Sequence, residues 1–275
     1  MTIFNEANTV ENAIRDRLST LENISWEFIH GTDIPKEPND VFVEKWLKES
    51  LCLLNSELNS DKADEVIYKL RGIFLEANHS GLVKANQLFQ QWLTSEKSLP
   101  LGKDGEHITI NLIDYENINR NKFIISQQVQ FTGKRNAYFD LVLFINGIPL
   151  VVGEVKSPVR PSVSWQDGAT DFMFGEKNYW LNQKQFFVPN LFCFATEGKT
   201  FAHGPINAGY RDWMPWYKTT DGENLETNLN SVLKSIERLL SPEILLDLIQ
   251  SFSIYSYSKN IDGNNTLTKI LPRYP

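Results

Sequence analysis

The 275-residue chain is 41 % hydrophobic, 22 % charged and 12 % aromatic, enough apolar material to bury a core without covalent staples and to exclude disorder as the dominant state. Two cysteines, Cys52 and Cys193, are too few for a disulfide framework and point to a reducing cytoplasm. The lack of a long uncharged apolar run or of a basic-then-apolar start leads us to expect neither a membrane nor a secreted protein. A formal net charge of −7 argues against a broad nucleic-acid-binding surface. One stretch departs from that balance: between residues 118 and 160, six basic residues (Arg120, Lys122, Lys134, Arg135, Lys156, Arg160) accompany two acids, Asp140 and Glu154.

In chain order, Thr9 reads as the N-cap of a first helix over 9–21, with Val10, Ile14, Leu18 and Leu21 at helical spacing. His30 to Asn39, broken by Gly31, Pro35 and Pro38, reads as a loop. Asp40 then caps a second helix with Phe42, Trp46, Leu47, Leu51 and Leu54 on one face. A third helix is expected over about 62–77, burying Ala63, Val66, Ile67, Leu70 and Phe74, and a fourth over about 81–93. Residues 40–96 thus form a helical block.

From about residue 105 the pattern turns to strands, over 107–112, 122–131 and 139–155, the last divided by Asn146-Gly147, a strong hairpin signal. Ser164 or Asp167 begins a helix, and Leu191 to Ala195 is a short buried strand ending at Glu197-Gly198. Two helices follow, one over 224–240 and one with Ser241 as N-cap and Pro242 in its first turn. Residues 251–275 are polar and carry no clear pattern.

The segment from Phe139 to Lys156 carries the chemistry. Asp140 stands at the start of one strand, and Glu154 and Lys156, two apart and therefore on one face, stand at the end of the next. Ionisable groups at the mouth of a buried sheet are costly unless they pair or hold a metal. Register decides whether Asp140 joins them. A two-residue loop at Asn146-Gly147 sets Asp140 opposite Gly153, whereas a three-residue loop to Ile148, or an equivalent bulge, sets it opposite Glu154 on the same face. We expect the odd loop or bulge, with Pro149 tolerated at the start of its strand. Two carboxylates suit Mg²⁺, the Val155 carbonyl can supply a third oxygen, and Lys156 can orient water or neutralise a developing phosphate charge. That set points to phosphodiester hydrolysis. The other reading is that these are solvated strand ends whose spacing arises by chance.

The segment from Asp140 to Pro158 resembles the PD-(D/E)xK nuclease motif, and specifically the N-terminal region of the R (restriction and translocation) subunit of type I restriction enzymes. It follows that pattern nearly throughout: an Asp, an apolar strand, Asn-Gly, the run Ile148-Pro149-Leu150-Val151-Val152, then Glu-x-Lys and a Pro. The likeness extends to Trp165-Gln166-Asp167-Gly168, Val188 to Phe192, Ala195 to Gly198, Glu11 on the first helix, and Leu53 to Asp64, and so covers most of the chain. It departs from the family at Phe139, where a Pro is usual, and in lacking a clean Gln-x-x-x-Tyr: Gln166 is followed by Thr170, and Gln183 by Phe187.

The resemblance implies an α/β fold, a PD-(D/E)xK restriction-endonuclease-like core in which a mixed, mainly antiparallel sheet is flanked by helices. The endonuclease domain would span 1–260, with the first helix and a core over 105–250 and residues 40–96 as a helical insertion; 261–275 would be a linker toward an ATP-dependent motor. Asp140 and Glu154 would be metal ligands and Lys156 the catalytic lysine. The implied function is Mg²⁺-dependent cleavage of double-stranded DNA, in the cytoplasm, together with methyltransferase (M) and specificity (S) subunits. No G-x-x-x-x-G-K-[ST] occurs in the chain, so ATP would act only through the motor, and the chain reads as a fragment or truncated form. The rival is a catalytically silent module that docks the motor or methyltransferase subunits.

Lys134 and Arg135, before the Asp140 strand, are candidates for DNA phosphate contacts, with a solvated turn as the other reading; Gln166 is a third candidate. His30, His79, His107 and His203 lack zinc-site spacing, Cys52 and Cys193 read as core, and Trp213-Met-Pro-Trp216 reads as cover for a core edge. With so little basic sequence, the chain alone is expected to hold DNA weakly at physiological salt.

Overall fold

The most apolar runs of the chain pair with one another to make the centre of the molecule. The computed structural model describes residues 6–157, 162–215, 227–259 and 265–271. Among them, β4 (Phe123–Thr132), β5 (Asn136–Ile145) and β6 (Ile148–Val155) form an antiparallel meander. The wholly buried β7 (Phe192–Thr196) lies parallel to β6. With β1 (Glu27–Phe28) parallel to β4 at one edge, and β8 (Phe201–Gly204) and β9 (Met214–Pro215) antiparallel at the other, they form a seven-stranded mixed sheet in the order β1-β4-β5-β6-β7-β8-β9. Two small ladders stand apart: β2 (Ser98–Leu99) with β3 (Ile108–Thr109), and β10 (Ile254–Lys259) with β11 (Asn265–Ile270). Helices flank the sheet: α1 (Glu6–Leu18), α2 (Glu44–Leu54), α3 (Ser60–His79), α4 (Leu82–Leu93), α5 (Trp165–Met173), α6 (Tyr179–Asn182), α7 (Leu229–Leu239) and α8 (Pro242–Ser251). This is the mixed, mainly antiparallel α/β architecture expected of the sequence. Apolar side chains of α1–α4 and of the sheet belong to one continuous buried cluster.

Several helix ends differ from the expectation. Thr9 lies inside α1, which begins by Glu6 because good helix formers precede Thr9. The same helix stops at Leu18, where Thr20 Oγ1 donates back to the Asp16 and Arg17 carbonyls. Asp40 does not cap α2. The N-cap is Val43, whose N–H donates to the Gly147 carbonyl at 2.9 Å, so residues 40–43 lie before the helix and meet the hairpin, and Asp40 pairs with Arg71. Ser164 and Asp167 act together as the capping box of α5. Asn228 caps α7, which starts at Leu229, and the sequence reading's 224–226 fall outside the described residues. The polar stretch after 251 holds the β10–β11 hairpin, which hydrophobic alternation could not reveal because its side chains are mostly exposed.

The β5–β6 turn decides the register. Asn146 and Gly147 both have positive φ, +54° and +81°, as a tight two-residue hairpin turn requires. The turn is buried: Asn146 donates to the Leu112 carbonyl and accepts from Lys122 N–H. Ile145 pairs with Ile148 and Phe144 with Pro149, but Leu143 pairs with Val151. Leu150 is therefore an extra residue on β6, a bulge. Beyond it Leu141 faces Gly153, which brings Asp140 level with Glu154. The bulge, and not a longer loop, supplies the odd residue.

Asn190, fully buried, secures the bulge. Its side chain donates to the carbonyls of Leu150 and Phe192, and its own carbonyl accepts from Asn86 of α4 and Lys269 of β11. Replacing it strips two buried acceptors of a donor. Asn190→Ala should lower stability by about 1–3 kcal/mol, read as a lower urea midpoint with an unchanged slope.

Candidate active site

The β5–β6 pairing stops at Leu141–Gly153, and beyond it side chains replace main chain. Val155 N–H donates to Asp140 Oδ2 at 2.8 Å, so Asp140 closes the ladder while presenting its carboxylate beside Glu154. Across β4, Gln127 pairs with Leu141 and Val129 with Phe139, leaving Gln128 between them at φ +54°. That conformation is costly for a residue with a side chain and is characteristic of functional positions. The Gln128 amide bridges two acids, donating to Asp140 Oδ1 at 3.4 Å and to Glu11 Oε2 of α1 at 3.3 Å. Gly31 backs this kink: a Cβ there would lie 2.5 Å from the carbonyl oxygens of both Gln127 and Gln128.

Glu154 is 1 % exposed. Its Oε1 accepts from Lys156 Nζ at 2.8 Å and Lys177 Nζ at 2.6 Å, whereas Oε2 is buried with no donor. The same two lysines meet Asp171 Oδ2 of α5, Lys177 at 2.8 Å. Two carboxylates and two ammonium groups thus alternate in a closed ring. Burial, reinforced by the Asp140 charge, pushes the Glu154 carboxyl up to about 8. Burial also raises Asp140, against the pull of the Val155 N–H and the lysines. Glu11 is pushed up to about 7 by burial and by Asp140. Burial alone would lower Lys156, but Glu154 and Asp171 outweigh it and hold the ammonium charged.

The structure therefore gathers Asp140, Glu154, Val155 and Lys156 at one place. The other sequence candidates lie elsewhere. Lys134 and Arg135 are exposed on the β4–β5 turn, and Gln166 is exposed in the first turn of α5. Gln183 is buried and donates to the Arg135 carbonyl. His203 packs between Phe192 and Phe201, and Trp213 stacks on Trp165; Trp216 falls outside the described residues. Cys193 is buried and Cys52 partly so.

Four neighbours were given no place in the site from the sequence: Gln128, Asp171, Lys177, and Glu11, which entered only through the family resemblance. Glu11 lies one residue from Val10 on the buried stripe of α1, and Asp171 borders the buried stripe Gly168, Ala169, Phe172 of α5. An acid beside an apolar stripe was the available signal. Nothing local marks Gln128 or Lys177.

A family model described as Type I restriction enzyme R protein N terminus matches residues 3–211. The chain is similar to the type I restriction enzyme HindI endonuclease subunit of Haemophilus influenzae, 26 % identical over 254 residues, covering 86 % of this chain and 23 % of that protein. It is also similar to a Methanocaldococcus jannaschii protein named as the type I restriction enzyme MjaIXP endonuclease subunit, 30 % identical over 235 residues, 81 % of this chain and 21 % of that protein. The chain thus spans less than a quarter of the length of these relatives.

The raised carboxyls give a stability test. Between about 4.5 and about 8 the folded, metal-free protein holds protons that the unfolded chain has released, so these groups cost stability as pH rises through that window. Glu154→Gln should therefore gain on the wild type in melting temperature between pH 5 and pH 8 in EDTA, and Glu11→Gln should do so to a smaller extent. A wild-type-to-mutant difference that is the same at both pH values would contradict the assignment.

Proposed function

The chain belongs to the type I restriction enzyme R protein N terminus family, and from that premise we propose that it is the Mg²⁺-dependent nuclease region of such a subunit, hydrolysing phosphodiester bonds of double-stranded DNA. The observation that carries this reading is the buried Asp140–Glu154 pair with its unpartnered Glu154 Oε2. Two acids held together out of water raise each other's proton affinity, and a divalent cation relieves both. All the donors are hard oxygens, which suits Mg²⁺ over zinc. Among the described residues no three His, Cys, Asp or Glu side chains gather as a metal set, so the holders in this reading are Asp140, Glu154 and the Val155 carbonyl.

When bound, Mg²⁺ would polarise a phosphoryl oxygen and make water more acidic. The chain's own groups do the rest. The Val155 N–H and Gln128 amide fix the Asp140 carboxylate in direction. Lys156, held between Glu154 and Asp171 and partly exposed, is charged, so it can orient water and offset charge developing on the phosphate. Burial of Glu154 keeps bulk water from screening these interactions.

In this reading ATP use and translocation reside in sequence outside these residues, methyltransferase and specificity subunits are partners, and the protein works in the cytoplasm. Among the described residues no helix is long and apolar enough to cross a membrane. In the complete enzyme, Asp140→Ala, Glu154→Ala and Lys156→Ala should each lower DNA cleavage by roughly 10²-fold or more while ATP hydrolysis persists. Because the three act as a unit, double variants should be little worse than singles. Loss of ATP hydrolysis in all three would favour a docking role instead.

A further inference from the structure

We propose that Lys177 is a second phosphate-contacting cation of the site, and that it shares one rigid basic lip with Lys134 and Arg135 along which the DNA backbone lies. The proposal rests on the nuclease reading above and adds a substrate contact to it.

Lys177 is the outer of the two lysines in the ring. Its side chain is 46 % exposed and that of Lys156 is 23 % exposed, so an incoming polyanion meets Lys177 first. Its ammonium also sits 5.5 Å from the Tyr179 ring centre, which steadies the stem. Counting the ring and Asp140 alone, and all of them ionised as a bound cation would favour, Asp140, Glu154 and Asp171 set against Lys156 and Lys177 leave one negative charge. A divalent cation between Asp140 and Glu154 turns that into one positive charge, the amount that a single phosphodiester neutralises. Without Lys177 the loaded site would carry no net charge to attract its substrate. A cation on Glu154 would weaken that carboxylate's hold on Lys177, leaving the ammonium to Asp171 and freer to meet a phosphate.

The main chain explains why Lys134 and Arg135 belong with it. Lys134 N–H donates to the Asn182 carbonyl at 2.7 Å. Arg135 Nη1 donates to the Glu176 carbonyl at 3.2 Å, and Gln183 Nε2 to the Arg135 carbonyl at 2.9 Å. Asn182 Nδ2 in turn donates to the Lys177 carbonyl at 2.6 Å. The turn approaches so closely that a Cβ on Gly133 would lie 2.3 Å from the Asn182 carbonyl oxygen. The segment carrying Lys177 and the turn carrying Lys134 and Arg135 are therefore one stitched unit, positive on a chain of net charge −7. Phosphate contacts of this kind position a duplex without reading its sequence.

The test is the salt dependence of binding. The full 275-residue chain is titrated with a short fluorescent duplex at low to moderate salt, in fixed Ca²⁺ and in EDTA. In Ca²⁺, Lys177→Ala should weaken binding and reduce the slope of log affinity against log salt by about 0.9, one phosphate contact, and Lys177→Arg should restore it. In EDTA, with Lys177 engaged by Glu154, the variants should coincide. Lys177→Gln serves as a second neutral variant if Lys177→Ala melts early, and Lys134→Ala should reduce the slope in the same way. An unchanged slope for Lys177→Ala and Lys177→Gln, while Lys156→Ala weakens Ca²⁺-dependent binding, overturns this proposal and leaves the nuclease reading standing. No Ca²⁺-dependent binding by the wild type, or no effect of Lys156→Ala and Glu154→Ala, removes the nuclease reading and this proposal with it.

Discussion

A carboxylate removed from water needs an opposite charge or a set of donors, and two placed side by side need more than either alone. Asp140 and Glu154 impose that condition on everything around them. Asp140 takes a main-chain N–H from Val155 and an amide from Gln128, and Glu154 takes two ammonium groups on one oxygen. Asp171 then balances those ammonium groups from the other side. Even so, the protein's own donors do not reach Glu154 Oε2, and Glu154 holds its proton to about pH 8. A site built only for stability would have closed that gap with a hydrogen bond or replaced the acids with apolar side chains.

The meeting of the two acids depends in turn on one extra residue. Without the bulge at Leu150, the tight Asn146-Gly147 turn would leave Glu154 on the face opposite Asp140. Segments far apart in sequence converge to hold that geometry. The α2 start docks on the turn through the Val43–Gly147 bond, and Asn190 ties the bulge to α4 through Asn86 and to the terminal hairpin through Lys269. Lys269 is so enclosed that burial lowers its ammonium to about 7. The helices over 40–96 thus bear on the register that brings the two acids together without contributing a side chain to the ring.

Much of this could be read from the residues. The apolar runs at 141–145 and 148–153 are strong because burial on a central sheet demands them, and Asp140, Glu154 and Lys156 stand at their outer ends. The need for an odd residue followed from the period of two along a strand, although the pattern could not say whether loop or bulge supplied it. That choice rests on Asn190, forty residues from Leu150. Lys177 and Asp171 escaped notice for a similar reason, since their meaning lies in a ring closed across β6, α5 and the loop after it. Gln128 looked like an ordinary strand residue because its reversed φ depends on Gly31, which lies in a distant loop. The cap at Thr9 misled because helix-forming residues precede it, and the cap at Asp40 because the Val43–Gly147 bond sets where α2 begins.

The central claim is that Asp140 and Glu154 together hold a divalent cation, and anomalous scattering tests it most directly. Crystals of the protein soaked in Mn²⁺ should show one strong anomalous peak within bonding distance of an oxygen from each carboxylate and of the Val155 carbonyl. In Asp140→Asn crystals treated identically the peak should be gone. A clean map with no Mn²⁺ between these residues, or an ion bound only at surface acids such as Asp61 or Glu65, would contradict the account.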